Sequence, residues 1–333
     1  MLQLGYKASA EQFGPRALLE FAVHAEQCGF DSVAVSDHFH PWRHTDGHAP
    51  QAFVWLGALC ERTRRVRLGT SVTTPTFRYH PAVVAQAAAT LALLSGDRFF
   101  LGVGTGESMN EVPALGITWP SFKERFARLA EAIALMQRLW REEAVTFEGR
   151  YYRTHRATLY DRPARGVPLF VAAAGATAAE LAGRVGDGFI CTSGKDWALY
   201  RETLLPALAR GAAQAGRDPA TIERLIEIKV AYDTDLDRAR ADTRHWAALA
   251  LAPEEKVGID DPRELEARAA AVADQAHRRW IVSADPDEVV ERLVPYVELG
   301  FTHLVFHAPG PDQRRFLDLF ARDVLPRLRR RFG

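Results

Sequence analysis

Cysteine is scarce in this sequence. Cys28, Cys60 and Cys191 are the only three among 333 residues, too few and too scattered for a disulfide framework or a cysteine-built zinc knuckle. Cys28 and Cys60 fall on apolar helix faces and read as core thiols. An excess of one charge is missing as well: 42 Lys and Arg balance 42 Asp and Glu. That balance argues against nucleic acid or an anionic membrane as partner, so any anion site must be local. No apolar run approaches the ~18 residues of a membrane span, and Met1 leads into Leu2-Gln3-Leu4 without a signal-peptide pattern. A reducing cytoplasm is the expected location. There is no fixed-period repeat and no low-complexity linker. An apolar fraction of 47% and a charged fraction of 25% are those of an ordinary globular protein.

What is present alternates. Short apolar, β-branched runs read as strands at 2–6, 31–35, 66–72, 98–103, 169–173, 188–192, 225–231 and 303–307. Helical patterns follow them at 15–28, 52–63, 81–94, 121–140, 178–185, 197–216, 287–299 and from Asp312 to Arg331. The helix after Ser121 is the best specified. Ser121 and Glu124 suggest a capping box, and Phe122, Phe126, Leu129, Ile133, Met136 and Trp140 form an apolar stripe. A hairpin turning at Gly149 follows, and a polar helical stretch is expected from Asp235 to about Arg279. About eight strands each followed by a helix predict an α/β fold, a (β/α)₈ TIM barrel forming one domain over 1–333, with insertions after the fourth and seventh strands. A doubly wound open sheet is the rival architecture.

In such a barrel the chemistry lies where strands end. The second strand ends in Asp37 and His38, with Trp42 beyond. The third ends in Ser71, Val72 and Thr74, and the fourth in Thr105, Gly106, Glu107 and Asn110. The fifth ends in Ala174 and Gly175, the sixth in Thr192, Ser193 and Lys195, and the eighth in His307. Small and hydroxyl residues suit a flat ligand lying close to backbone. Each also has a plainer use: Asp37 as a helix cap, Trp42 as a plug, Glu107 as a turn cap, His38 as a loop anchor. Glu227 and Lys229 read as a buried ion pair rather than catalysts. Gly102-Val103-Gly104-Thr105-Gly106 is GxGxG, not the GxGxxG of a dinucleotide site, and lacks the following acidic residue. His38, His40, His44 and His48 hint at a metal, but the fifth strand ends in Ala-Ala-Gly and the sixth in Thr-Ser-Gly, so the three or four ligands of a zinc site cannot be assembled and no metal is expected.

With these residues in view, the chain resembles the coenzyme F420-dependent glucose-6-phosphate dehydrogenases of the luciferase-like barrel superfamily. The likeness runs through GYKASAEQF (5–13), VSDHF (35–39), PWRH (41–44), LGTSVTTPTFRYHPAVVAQA (68–87), FLGVGTGE (100–107), FKERFARL (122–129), DGFICTSGK (187–195), IEIK (226–229), RWIV (279–282) and HLVFHAPGPDQRRFL (303–317). The resemblance implies oxidation of glucose-6-phosphate to its lactone with hydride passing to the deazaflavin F420. It implies His38 as base, assisted by Trp42, Glu107 and Glu11. Coenzyme contacts would fall on Asp37, Ser71, Val72, Thr74, Thr105, Gly106, Glu107, Asn110, Ala174 and Gly175, with a cis Ser71–Val72 peptide. Phosphate would be held by Thr192, Lys195, Lys256 and Arg279, and the assembly would be a homodimer. Two departures stand out: Ala174-Gly175 replaces the family's Gly-Gly, and Val257 replaces a His found in some members. The alternatives are another hexose 6-phosphate as substrate, a luciferase-like reductase of a non-phosphorylated substrate, a metal-dependent hydrolase and a non-catalytic binding protein.

Overall fold

Residues 2–333 are described by the structure, a computed structural model. Its strands are β1 (Gln3–Ala8), β2 (Ser32–Val35), β3 (Arg67–Thr70), β4 (Phe99–Val103), β5 (Val145–Glu148), β6 (Arg153–Ala157), β7 (Leu169–Ala172), β8 (Gly188–Thr192), β9 (Glu223–Tyr232), β10 (Ile281–Ser283) and β11 (His303–His307). Strands β1, β2, β3, β4, β7, β8, β9 and β11 pair in parallel in that order. β11 then returns to β1, which closes the barrel. Their residues are buried almost throughout because helices cover the outside while side chains fill the inside. Ala34, Phe100, Phe170, Ile190, Leu225 and Val305 fill the interior. A Cβ on Gly69 would come within 2.3 Å of the Phe100 ring and one on Gly188 within 2.4 Å of Phe170. These two glycines therefore make the room in which two large rings pack, tilted, with centroids 4.8 Å apart. Beneath them the closed end is tied by Arg67 to Glu223 at 2.9 Å and by His303 to Glu223 at 2.7 Å.

The expected elements are present, with corrections. In the helix Phe122–Arg141 the Ser121 hydroxyl accepts from the Glu124 amide at 3.3 Å, but the Glu124 carboxylate turns to Arg128 at 2.8 Å, leaving the capping box half formed. The stripe is buried from Leu129 onward, whereas Phe122 in the first turn is 48% exposed. A helix at Ser108–Leu115 was not anticipated. The stretch after Asp235 is not one helical run. It breaks into Leu236–Asp242, short 3₁₀ turns, Pro262–Ala270, a further 3₁₀ turn at Ala273–Arg279, and then β10, which extends the far half of β9. Gly258 and Pro262 interrupt it. Its apolar residues, among them Leu251, Ile259, Leu265 and Ala276, gather with Met109 into a small core of their own against Trp42. That core seats the insertion over the open end of the barrel. No helix among the described residues is long and apolar enough to cross a membrane.

Candidate active site

Two cavities open where the strands end. The first, about 360 Å³, is lined by Asp37, His38, Ser71, Val72, Thr74, Gly104 to Glu107, Asn110, Ala172 to Ala174, Thr192 and Lys195. The second, about 300 Å³, is lined by Lys7, Glu11, His38, Trp42, Glu107, Lys195, Glu227, Lys229, Trp246, Lys256, Arg279 and His307. His38, Ser71, Glu107, Thr192, Lys195 and Glu227 belong to both, so the cavities meet at His38.

The first cavity has a wall of bare backbone. Gly106 has φ +85°, and a Cβ there would meet the Thr74 side chain at 3.0 Å and Trp119 at 3.2 Å; one on Gly104 would meet Val72 at 2.9 Å. The Ser71–Val72 peptide is cis. A Cβ on Gly102 would overlap the Thr70 carbonyl at 2.0 Å, so the GxGxG run owes its glycines to close packing of β4 against β3. Gly175 does not line the cavity. It precedes the helix Ala176–Val185, whose first amides receive no side-chain cap, while Ala174 stands at the rim. A surface free of side chains beside an uncapped helix start fits a flat ring with an anionic tail.

Asp37 borders that cavity, but its carboxylate is held from behind. Thr73 and Tyr79 donate hydroxyl hydrogen bonds to it, Tyr79 at 3.2 Å, and Arg78 lies 3.5 Å away while also pairing with Glu111 at 3.1 Å. Burial raises the Glu111 pKa despite Arg78. Sequence reasoning singled out none of Thr73, Arg78, Tyr79 or Glu111. The first three lie inside the 68–87 run, but nothing in their spacing reveals a buried network.

His38 is the hinge of the site. Its Nδ1 lies 3.1 Å from the His40 carbonyl and 3.4 Å from the Asn110 side-chain amide nitrogen, while its Nε2 faces the carboxylates of Glu11 at 3.3 Å and Glu107 at 3.8 Å. Burial pushes the Glu11 pKa up, but His38, Lys7 and the Ser36 hydroxyl donating at 2.5 Å together hold it below the usual carboxylate range. The Trp42 ring lies 6.4 Å from His38. Asn110 accepts from the amides of Phe39 and His40, fixing the loop that carries His38. His40 is turned to the Asp260 carbonyl at 3.0 Å, so among the described residues the histidines of 38–48 do not converge as metal ligands.

Charge in the second cavity separates by depth. On its floor Glu227 pairs with Lys7 at 3.0 Å, with Lys229 at 3.6 Å and with His307 at 3.5 Å. Burial opposes ionisation of Glu227, yet the Lys7 charge, the His307 hydrogen bond and the Lys229 charge hold its pKa well below the usual range. The Glu227–Lys229 pair is as expected from sequence, and His307 stands at its expected strand end; Lys7 is the member that sequence reasoning missed. Around the rim Lys195, Lys256 and Arg279 face one another without a salt-bridge partner among the described residues. Burial and then the Arg279 charge lower the pKa of both lysines. The Arg279 Nε is buried with no hydrogen-bond partner. The Lys256 ammonium also lies 5.7 Å over the Trp42 ring. Val257 is 77% exposed and lines neither cavity.

The model of the luciferase-like monooxygenase family matches residues 2–303. An F420-dependent glucose-6-phosphate dehydrogenase from Beutenbergia cavernae is 63% identical over 332 residues, covering 99% of this chain and 98% of the relative. One from Rhodococcus erythropolis is 60% identical, covering 98% of each. Among solved structures, an F420-dependent secondary alcohol dehydrogenase in complex with an F420-acetone adduct superposes with a TM-score of 0.91 at 36% identity, over 97% of this chain and 98% of that one. The F420-dependent tetrahydromethanopterin reductase of Methanopyrus kandleri, at 22% identity, 98% and 99% coverage and a TM-score of 0.80, shares the fold.

Proposed function

The chain belongs to the luciferase-like monooxygenase family and, within it, to the F420-dependent glucose-6-phosphate dehydrogenases, and from that membership we propose that it oxidises C1 of glucose-6-phosphate, yielding 6-phosphogluconolactone and reduced F420. When bound, the deazaflavin coenzyme supplies the hydride acceptor. The residues we assign to hold it are Asp37, Ser71, Val72, Thr74, Thr105, Gly106, Glu107, Asn110, Ala174 and Gly175. Lys195, Lys256 and Arg279, with Thr192, take the phosphate, whose double negative charge relieves the repulsion among the three cations. His38 Nε2 takes the proton of the C1 hydroxyl, and Glu11 stabilises the imidazolium that results. Trp42 covers the reacting carbon and excludes water. Glu107 borders both cavities, 3.8 Å from His38 Nε2, and assists the proton transfer.

One observation carries the reading: a bare-backbone cavity and a cationic cavity meet at a single histidine whose Nε2 faces Glu11 and Glu107. Purified protein assayed with F420 against a panel of sugar phosphates tests it, with glucose-6-phosphate expected to be oxidised fastest. Turnover of glucose-6-phosphate with a nicotinamide in the absence of deazaflavin overturns it. We also assign the enzyme to the cytoplasm as a homodimer. Support for the dimer comes from exposed Val54 on the helix Ala52–Arg62 and exposed Val83 on the adjoining helix Pro81–Ser95, and light scattering measures it.

A further inference from the structure

Away from both cavities, on the outer wall of the barrel, one nitrogen, one sulfur and one oxygen converge. His24, Cys28 and Asp318 each offer a ligand atom, and the three atoms lie within 4.8 Å of one another. His24 and Cys28 are one turn apart at the end of the helix Pro15–Gln27, a spacing that puts both on one face. Asp318 comes from the helix Gln313–Asp323, which packs against the first. His24 Nε2 is 2.6 Å from Asp318 Oδ1 and 3.4 Å from Cys28 Sγ, and that sulfur is 3.7 Å from the same carboxylate oxygen.

These separations are close to those of a tetrahedral zinc ion. Bonds of ~2.0–2.3 Å to N, O and S set ligand atoms roughly 3.2–3.7 Å apart, so only the His24–Asp318 contact has to open, by less than an ångström. The far side of the imidazole is also suited. Gln27 Oε1 lies 3.3 Å from His24 Nδ1 and accepts its proton, which turns the Nε2 lone pair toward Cys28 and Asp318. Metal-bound histidines are held in the same way, by an acceptor on the opposite nitrogen. Arg314 lies 3.4 Å from Nδ1 too and favours the opposite tautomer, in which Nε2–H simply donates to Asp318. Burial and then Asp318 push the Cys28 thiol up to about 11, so a metal must displace its proton to solvent as the thiolate–metal bond forms. A thiolate with an imidazole selects zinc-like ions over magnesium or calcium.

We propose that His24, Cys28 and Asp318 form a zinc(II) site, with water as the fourth ligand, that ties the first helix of the barrel to the helix following its last strand. The end of Pro15–Gln27 lies where β2 begins, opposite the catalytic mouth, so the ion is structural and takes no part in turnover.

The test uses the full-length enzyme, stripped by a chelator and titrated with cobalt(II) as an optical probe, then with zinc(II). A thiolate-to-cobalt absorption band saturating at one ion per chain, bleached by zinc, is expected, together with a higher Tm in zinc. Cys28→Ser should lose the band. Asp318→Asn, a change at an exposed position, should weaken cobalt binding by about tenfold or more, with kcat unchanged in both. Absence of a band at millimolar cobalt, a band that survives in Cys28→Ser, or equal affinity in Asp318→Asn overturns the assignment and leaves a proton between His24 and Asp318.

Discussion

Replacing Arg279 by alanine separates a phosphate site from a merely basic rim. The guanidinium is partly buried, its Nε has no partner, and its charge depresses both neighbouring lysines. A charge-assisted hydrogen bond is worth ~1.5–3 kcal/mol and ~1.4 kcal/mol is a factor of ten, so the KM for glucose-6-phosphate should rise roughly ten- to a hundredfold. The lower half of that range is expected. Removing Arg279 also removes its repulsion of Lys195 and Lys256, and both then hold their protons more firmly. The same relief gives a second signature. A lysine grips phosphate only while protonated, so kcat/KM for glucose-6-phosphate falls as pH rises through the depressed lysine values. In Arg279→Ala those values return upward, and the alkaline fall should move to higher pH. Steady-state assays following loss of the coenzyme absorbance, with glucose and glucose-6-phosphate as parallel substrates across pH, measure both effects. Unphosphorylated glucose should be a very poor substrate whose kcat/KM hardly changes. An equal loss for the two sugars, or an alkaline limb moving to lower pH, would refute the assignment of Arg279 to phosphate.

Replacing His38 by alanine should lower kcat by ~10²–10⁴, the range for losing a positioned general base, while coenzyme affinity measured by fluorescence titration stays within several-fold. Gly106→Ala, at φ +85° against Thr74 and Trp119, should cost ~1–2 kcal/mol of backbone strain and weaken coenzyme binding more than it changes the KM of the sugar phosphate. Glu266 accepts from the Thr45 and His44 amides and from Arg43, anchoring the loop that follows Trp42. Burial pushes its pKa up, but those donors bring it down to about 2. Because the folded value lies below the ordinary 4.5, the stabilisation is complete above that pH and is lost on acidification toward 2, so Glu266→Gln should unfold about 2 kcal/mol more easily in neutral urea titrations and by the same amount as the parent near pH 2. Val257→His should leave the ratio of kcat/KM for glucose- and fructose-6-phosphate unchanged, since Val257 faces solvent; a shift beyond a few-fold would show that the rim rearranges around substrate.

The barrel was legible because most strands are short apolar runs buried on both faces, and the mouth because polar residues stop those runs. His38 and Glu107 could be placed from that alone. The insertion after β9 was not legible. Its small core is drawn mainly from alanines such as Ala247, Ala248, Ala269 and Ala276, residues equally at home in a solvated helix, and its turns are too short to show a period. Asp37 shows a different limit. A strand-end carboxylate reads as a ligand contact, and only three dimensions reveal Arg78, Tyr79 and Thr73 gripping it from behind.

Charge shows the same limit most clearly. The whole chain sums to zero, and the second cavity holds carboxylates and cations side by side. Composition cannot say which remain unmatched, because that depends on depth. Glu227 is taken up by Lys7, Lys229 and His307 on the floor, and Glu11 by His38 and Ser36 beside it. Those pairings use the deep carboxylates where desolvation makes an unpaired charge most costly. Lys195, Lys256 and Arg279 are left at the rim, where partial exposure lets three like charges persist at a tolerable cost. An anion arriving there meets uncompensated positive charge, although the protein around it is neutral. The floor also has to stay paired for this to work: an unpaired Glu227 would repel the same phosphate from below. If the rim takes phosphate as proposed, the buried ion pairs serve recognition as well as folding, by keeping the deep negative charges from cancelling the attraction of the rim.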